Sequence, residues 1–166
     1  PPTPTRTRNP TPTPNPNITL QLNLNLKQKQ KNYVLWLLGR QDYSRKELER
    51  KLSQRQVPQA FSCELLDWCE QHGFLDDNRF CAGFVRRAAD KRHGPRRIMA
   101  DAQQKGLAKE QVSEAIDALD IDWFELALEA YTRKFRTTDK QLDYKEKAKR
   151  MRYLTARGFD YQQIEF

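Results

Sequence analysis

The sequence predicts an all-α protein of three tandem three-helix repeats that form an elongated, curved array. The first observation is a motif at residues 43–48, YSRKEL, which returns 50 positions later as HGPRRI at residues 93–98. The second is a basic residue, a glycine and an apolar residue at 105–107, which return 52 positions later at 157–159. The third is that apolar residues elsewhere fall at helical spacing. A motif that recurs about every 50 residues between helical segments is typical of helical repeat proteins.

Capping signals place equivalent helices in the first two repeats. Ser44 followed by Glu47 is a capping box, which predicts a helix that starts at residue 45 and ends near residue 54. Pro95 after Gly94 predicts the first turn of the equivalent helix in the second repeat. A left-handed turn at Gly106 ends that helix.

Periodicity and caps together predict the order of elements along the chain. We expect helices at about residues 32–40, 45–54, 60–72, 77–91, 95–104, 109–119, 122–135, 144–157 and from 161 to the end. These helices group into repeats at residues 31–74, 75–120 and 121–166, of which the third is short at its C-terminal end.

Residues 1–30 are predicted to be a disordered, low-complexity N-terminal extension. Residues 1–17 are a Pro/Thr/Asn tract whose prolines oppose a helix and which has little apolar surface to bury. Residues 18–26 alternate apolar and polar side chains with period two, which is typical of a strand. No second strand is predicted nearby, so we favour an extension without fixed structure. The alternative is a strand that adds to the sheet edge of a partner.

Charge alternates in phase with the repeats. Net charge is +3 over residues 40–60, −4 over 61–85, +5 over 86–105, −6 over 106–130 and +7 over 131–157. This pattern predicts basic stripes, separated by acidic ones, that face partners along the array. The alternative is a set of solvated helix faces that pair with each other between repeats. Because four of the eight net charges lie in the first 30 residues, a general affinity for nucleic acid is a weaker inference.

Catalysis and metal binding have little support in the sequence. His72 and His93 lack a neighbouring nucleophile and base, and no glycine loop could hold a phosphate. Cys63, Cys69 and Cys81 with His72 come nearest to a zinc site, but the first two lie six residues apart and point to different sides of one helix. We therefore expect no enzyme activity, cofactor or metal. The odd number of cysteines, without an apolar leader or membrane span, predicts a reducing cytoplasmic location.

Four ordered motifs resemble the RecX family, the regulatory proteins of the bacterial RecA recombinase. They are Tyr43 to Leu48 with Lys51 and Leu52; Gly73 to Phe80; Gly94 to Ile98 with Lys105 and Gly106; and Arg152 to Leu154 with Arg157 to Phe159. The resemblance covers about residues 33–166 and implies a cytoplasmic, non-enzymatic modulator built from tandem three-helix repeats. RecX proteins bind in the helical groove of the RecA filament on single-stranded DNA. They inhibit its ATPase, strand exchange and coprotease activities and block its extension.

This sequence departs from the family pattern in two places. The Pro/Thr-rich extension before Lys31 is not part of the pattern, and residue 166 falls inside the expected final helix. The third repeat is therefore expected to be less stable than in relatives.

The basic stripes supply the candidate binding residues. We expect a monomer that uses them to contact acidic RecA surface, and they also offer direct contact to DNA phosphates. The candidates are Arg45, Lys46, Arg86, Arg87, Arg92, Arg96, Arg97, Lys147, Lys149, Arg150 and Arg152. One rival is a stand-alone nucleic-acid module in which the helix at 95–104 enters a groove in helix-turn-helix fashion. A second rival is a generic helical scaffold whose basic stripes have no partner.

Overall fold

The computed structural model describes residues 1–5, 7–11, 15–136 and 141–164. Its α-helices are α1 Pro16–Arg40, α2 Arg45–Gln54, α3 Gln59–Gln71, α4 Asp77–Asp90, α5 Pro95–Gln104, α6 Lys109–Ala118, α7 Trp123–Phe135 and α8 Tyr144–Ala156, followed by a 3₁₀ helix, η1, at Tyr161–Gln163. Within the described residues there is no strand. The all-α repeat fold predicted from the sequence is confirmed.

Each repeat has its own hydrophobic core. The first core joins α1, α2 and α3, the second joins α4, α5 and α6, and the third joins α7, α8 and the residues on either side of η1. Their most deeply buried side chains include Val34, Leu48, Leu52 and Leu66 in the first core, Val85, Ile98 and Val112 in the second, and Leu154 and Phe159 in the third. Trp123 packs against both the second and the third core, so these two repeats share apolar surface.

The predicted helix caps are confirmed. The Ser44 hydroxyl accepts from the Glu47 N–H at 3.1 Å, and the Glu47 carboxylate accepts from the Ser44 N–H, which completes the capping box. Pro95 is the first residue of α5. Gly106 follows α5 with φ of +81°, in the left-handed region.

The start of α1 corrects the prediction for the N-terminal extension. Residues 18–26 belong to a helix that begins at Pro16, rather than to a strand or an irregular segment. Asn15 caps this helix, because its side chain accepts from the Asn17 N–H at 3.1 Å, and Pro16 lies where a missing N–H is tolerated. Adding residues to an existing helix costs much less than nucleating one, so the segment before residue 32 follows the helix behind it.

The last predicted helix is also corrected in part. A helix was expected from residue 161 to the end, whereas Tyr161–Gln163 form a single 3₁₀ turn. Asp160 caps this turn through a capping box with Gln163. The prediction for residues 165 and 166 lies outside the described residues.

The first and second repeats meet at a contact that we call joint 1. Here the start of α2 lies on the end of α5. The Ser44 hydroxyl donates to the Lys105 carbonyl at 2.7 Å, and Arg50 Nη1 donates to the Gln104 carbonyl at 2.7 Å. Both bonds satisfy carbonyls that a helix C-terminus leaves without an intrahelical partner.

The second and third repeats meet in the same way at joint 2, where the start of α5 lies on the end of α8. Two bonds between main chains hold this joint. The Gly94 N–H donates to the Arg157 carbonyl at 2.7 Å, and the Arg96 N–H donates to the Gly158 carbonyl at 3.1 Å. The second repeat is therefore held by its neighbours at opposite ends of α5.

Glycine is required at both joints because the helices approach so closely. A Cβ atom on Gly106 would overlap the Lys46 side chain, and one on Gly158 would overlap Arg97. Gly94 has no room for a side chain either, because it lies directly against the backbone of Gly158. These glycines therefore set the distance between successive repeats.

Candidate functional site

Positive charge is concentrated at joint 2, where α4 ends, α5 begins and α8 ends. Five basic residues meet there: Lys91, Arg92, Arg96, Arg97 and Arg157. Arg157 Nε donates to the Arg92 carbonyl at 3.1 Å, and its Nη2 donates to the Lys91 carbonyl. This guanidinium therefore ties the end of α8 to the end of α4 and caps carbonyls at the negative end of the α4 dipole.

The environment of joint 2 favours the neutral form of His93. Burial lowers the pKa of His93, and the nearby charges of Arg97 and Arg157 lower it further. The imidazole is therefore neutral near pH 7, because protonation would add a positive charge to an already positive neighbourhood.

The acidic residues at joint 2 do not neutralise its arginines fully. Arg96 Nη2 lies 3.6 Å from an Asp160 oxygen, and Arg97 Nε lies 3.6 Å from an Asp101 oxygen. These separations exceed the roughly 2.7–2.9 Å of strong charge-assisted hydrogen bonds. The Arg96 and Arg97 side chains are 64% and 41% exposed, so both remain accessible to a partner.

Arg92 is less accessible than these two. It has a φ of +60°, and its Nε is buried without a hydrogen bond, 3.8 Å from a Glu129 oxygen. Its carbonyl accepts the bond from Arg157. The predicted binding residue Arg92 therefore lies inside joint 2, where it adds positive charge but offers little surface to a partner.

Arg86 and Arg87 lie on the exposed surface of α4, and the described residues give neither of them an ion pair. Arg87 stands four residues before Lys91, so both project to the same side of the helix end. Lys91 and Arg157 were not among the predicted binding residues. A signal was available for Arg157, because it stands at the position of Lys105, directly before a glycine, in the recurring motif.

At joint 1 the predicted basic residues are mostly engaged. Arg45 Nη1 lies 2.7 Å from Asp67 and 3.0 Å from Glu70, and its Nε lies 3.4 Å from Glu49. Burial alone would lower the pKa of Arg45, but the hydrogen bonds to Glu70 and Asp67 outweigh burial and raise it. Arg45 therefore links α2 to α3, a structural role that the sequence prediction of a partner contact did not foresee. Lys46 is more exposed, although its stem packs at the joint and its Nζ lies 3.7 Å from Glu49.

The predicted binding residues of α8 do not all lie at the surface. Arg150 is only 7% exposed: its Nη1 donates to the Tyr131 hydroxyl at 2.7 Å, and its Nε donates to Glu146 at 3.0 Å. These bonds, first to Tyr131 and then to Glu146, raise the pKa of Arg150. The guanidinium also covers the Phe135 ring at 4.7 Å, so Arg150 lies in the interior and not on the basic surface that was predicted. The exposed predicted residues of α8 are Lys147, Lys149 and Arg152.

The placement of α5 argues against the helix-turn-helix mode of DNA binding. Its first turn is covered by α8, since the N–H groups of Gly94 and Arg96 bond to the end of that helix. Ile98 in the next turn is fully buried. The helix therefore cannot enter a DNA groove with its N-terminus unless joint 2 opens, although its arginine side chains reach outward.

The described part of the chain contains no group of three His, Cys, Asp or Glu side chains placed to hold a metal. All three cysteines are free. Burial raises the pKa of the Cys69 and Cys81 thiols, which keeps them protonated and unreactive. In the same residues no helix combines the length and apolarity needed to cross a membrane.

Family models match along most of the chain, one for each repeat. The first three-helix domain of RecX matches residues 31–69, the second matches residues 76–116 and the third matches residues 120–166.

Individual relatives give the same result. Regulatory protein RecX of Yersinia pseudotuberculosis serotype O:1b (strain IP 31758) is 41% identical over 102 residues, which are 61% of this chain and 56% of that protein. The chain thus spans about half the length of this relative. Regulatory protein RecX of Actinobacillus pleuropneumoniae serotype 5b (strain L20) is 33% identical over 128 residues, which are 77% of this chain and 83% of that protein.

Two solved structures share the fold. A crystal structure of regulatory protein RecX superposes with a TM-score of 0.75 at 22% identity and covers 92% of this chain and 76% of the other. The crystal structure of RecX from Lactobacillus salivarius gives 0.65 at 22% identity, over 82% of this chain and 90% of the other. At this identity the likeness establishes the fold.

Proposed function

Because the chain belongs to the RecX family, whose members are regulatory proteins, we propose that it regulates RecA by binding the RecA filament on single-stranded DNA. In this proposal it inhibits the recombinase, ATPase and coprotease activities of the filament. It acts in the cytoplasm and performs no chemistry itself.

The observation that carries the proposal is the pair of exposed arginines at joint 2, Arg96 and Arg97, whose ion pairs with Asp160 and Asp101 are long, at 3.6 Å each. They stand on a repeat whose orientation is fixed at both ends by the joints. A regular array can place such basic sites against successive subunits of a helical polymer, where acidic protein surface and DNA phosphates attract them. A ligand that spans neighbouring subunits would hinder their ATP-linked rearrangement.

The test is a charge reversal at joint 2. Arg96→Glu with Arg97→Glu replaces two positive charges by two negative ones in the first turn of α5, where the helix dipole tolerates negative charge. We expect this variant to inhibit the DNA-dependent ATPase of RecA much less than the wild type at low salt. Raising the salt concentration should narrow the difference, because salt screens exposed charges.

A reversal on the acidic stripe is the matched control. Glu110→Lys with Glu114→Lys changes two exposed residues of α6 and should leave inhibition undiminished. A wild type that never slows RecA would contradict the regulatory proposal. If both variants lose inhibition equally, the regulatory proposal stands but the role assigned to joint 2 is wrong. Titration onto bare single-stranded DNA, free RecA and the filament at one salt concentration then assigns the partner.

A further inference from the structure

The first repeat carries a surface of aromatic and basic side chains that the proposed function does not use. In three places on this surface a cation lies over the face of an aromatic ring. Measured to the ring centroid, the pairs are Arg55 over Tyr33 at 3.9 Å, Arg40 over Trp36 at 4.9 Å and Lys51 over Tyr43 at 5.6 Å. We call these six residues the cation–aromatic face.

Helical spacing brings the pairs to one side of the repeat. Tyr33, Trp36 and Arg40 stand three and four residues apart, so they line one side of α1. Arg55, directly after α2, reaches the same side because its guanidinium lies on the Tyr33 ring. Lys51 stands one helical turn before Arg55. The face therefore follows the α1–α2 hairpin.

The cation–aromatic face is accessible and partly held in place. The Trp36 side chain is 57% exposed, and Arg40 and Arg55 are exposed as well. Arg55 Nε donates to Gln30 Oε1 at 2.9 Å, which holds the guanidinium over its ring. A guanidinium or an indole has two flat sides, and each pair uses one of them. The exposed members therefore keep a flat side on which another planar group can stack.

The surroundings of the face are positive. Residues 29–55 contain eight basic and three acidic residues, a net charge of +5. The first acidic residue of the chain is Asp42, and Arg79 pairs with it at 3.1 Å. Within the described residues, none of the three cations of the face has an ion pair with an acid. Their charge is therefore available to a negatively charged ligand.

A second aromatic group in the same repeat lacks this property. The Trp68 and Phe74 rings stack with their centroids 5.7 Å apart. Their segment, residues 61–85, has a net charge of −4, which would repel an anion. The combination of rings and positive charge thus distinguishes the α1–α2 side from this group.

Unpaired nucleotides have the chemistry that this face would recognise. Their bases are planar groups that stack on aromatic and guanidinium planes, and their phosphates are attracted to the cations. In a duplex the bases stack on each other, so their flat sides are not available. From Tyr33 to Arg40, α1 rises about 10 Å, which is the length of about three stacked nucleotides. We propose that the cation–aromatic face binds single-stranded nucleic acid by base stacking. This inference goes beyond the proposed function and does not depend on it, because the binding needs no RecA.

Fluorescence anisotropy with the full chain and without RecA tests the proposal. The probes are a labelled oligothymidylate and an abasic strand of the same length, which keeps the phosphates and lacks the bases. The wild type should bind the oligothymidylate more tightly. Trp36→Leu keeps an apolar, helix-forming side chain at an exposed position, so the variant should fold. Its affinity for the oligothymidylate should fall at least about fivefold, whereas its affinity for the abasic strand should not change.

Two matched variants separate stacking from other effects. Trp36→Phe keeps a ring and should retain more affinity for the oligothymidylate than Trp36→Leu does. Phe74→Leu removes an exposed ring outside the face and should bind as the wild type does.

Four results would overturn the proposal. They are a wild type that does not bind the oligothymidylate, equal binding of the oligothymidylate and the abasic strand, an unchanged affinity in Trp36→Leu, and an equal loss in Phe74→Leu. Competition by polyglutamate gives a further check. Polyglutamate of the same charge as the oligothymidylate should compete poorly, and equal competition would show that the face recognises acidic protein surface by charge alone.

Discussion

Single residues in the left-handed region end most of the helices. After α3, α5 and α8 this residue is Gly73, Gly106 and Gly158, whereas Gln56 and Arg92 take the same conformation after α2 and α4. A non-glycine residue costs roughly 1 kcal/mol or more in this conformation. Glycine is indispensable only where a second constraint, the close approach of another repeat, acts as well.

This distinction predicts unequal effects of alanine at two glycines. Gly73→Ala should lower the free energy of unfolding by about 1 kcal/mol, since φ is +74° and no atom lies near the added methyl group. Gly106→Ala should lower it considerably more, because the methyl group also meets the Lys46 side chain at joint 1. Urea denaturation of both variants measures the difference. Equal losses would show that Lys46 moves aside without cost.

Residue identity alone predicted the helix caps but not the partners of the arginines. Arg150 was expected at the surface, yet it stands eight positions before Gly158, as buried Ile98 stands eight before Gly106. Alignment of the repeats on their glycines would have placed it in the interior. No comparable local signal marks Arg45, because its partners Asp67 and Glu70 lie on another helix.

At the scale of elements, α2 to α8 were predictable because their apolar spacing and, for several of them, their caps are local signals. Ser44, Asp76, Asp122 and Asp143 each cap a helix with their own side chain. The beginning of α1 was not predictable from its period of two, since this half of the helix packs little against its own repeat. Helix extension rather than burial sets its structure.

Truncation separates the two parts of the N-terminal region. Deletion of residues 1–11 should leave helical circular dichroism and the thermal midpoint unchanged, because residues 1–5 and 7–11 contain no helix and the capping residue Asn15 is kept. Deletion of residues 1–30 should reduce the helical signal. It should also lower the free energy of unfolding by about 1 kcal/mol or less, since it removes the exposed contact of Lys27 with the Phe61 ring. A loss of cooperative unfolding in either variant would contradict this assignment.

At the scale of the whole molecule, the two joints use different chemistry for the same geometry. Joint 1 depends on the Ser44 hydroxyl, whereas joint 2 depends on main-chain bonds from Gly94 and Arg96. The alternation of charge was readable in the sequence. The joints were not, because the residues that form them are 54 to 66 positions apart.

Gly94→Ala should therefore weaken the attachment of the third repeat. The methyl group would push α5 away from Gly158 and break the two main-chain bonds of joint 2. At about 1 kcal/mol each, their loss predicts a decrease of about 2 kcal/mol in the free energy that holds this repeat. Hydrogen exchange should then increase in α7 and α8 before α2 and α3.

Gly39→Ala is the matched control. Gly39 is helical in α1 and has no neighbour near the added methyl group, so this variant should be at least as stable as the wild type. Uniformly faster exchange in Gly94→Ala would indicate that the repeats unfold as one unit.

The direction of the joints has a consequence for synthesis on the ribosome. The start of α2 cannot form joint 1 until a carbonyl 61 residues further along the chain has been made. The start of α5 likewise cannot form joint 2 until the end of α8 has been made. At about 5–20 residues per second, the nascent first repeat spends roughly 3–12 seconds with the Ser44 hydroxyl in water before Lys105 is made. Each repeat thus emerges with its own core formed but with its contact to the next repeat not yet made. The joints then form in the order of translation, joint 1 before joint 2.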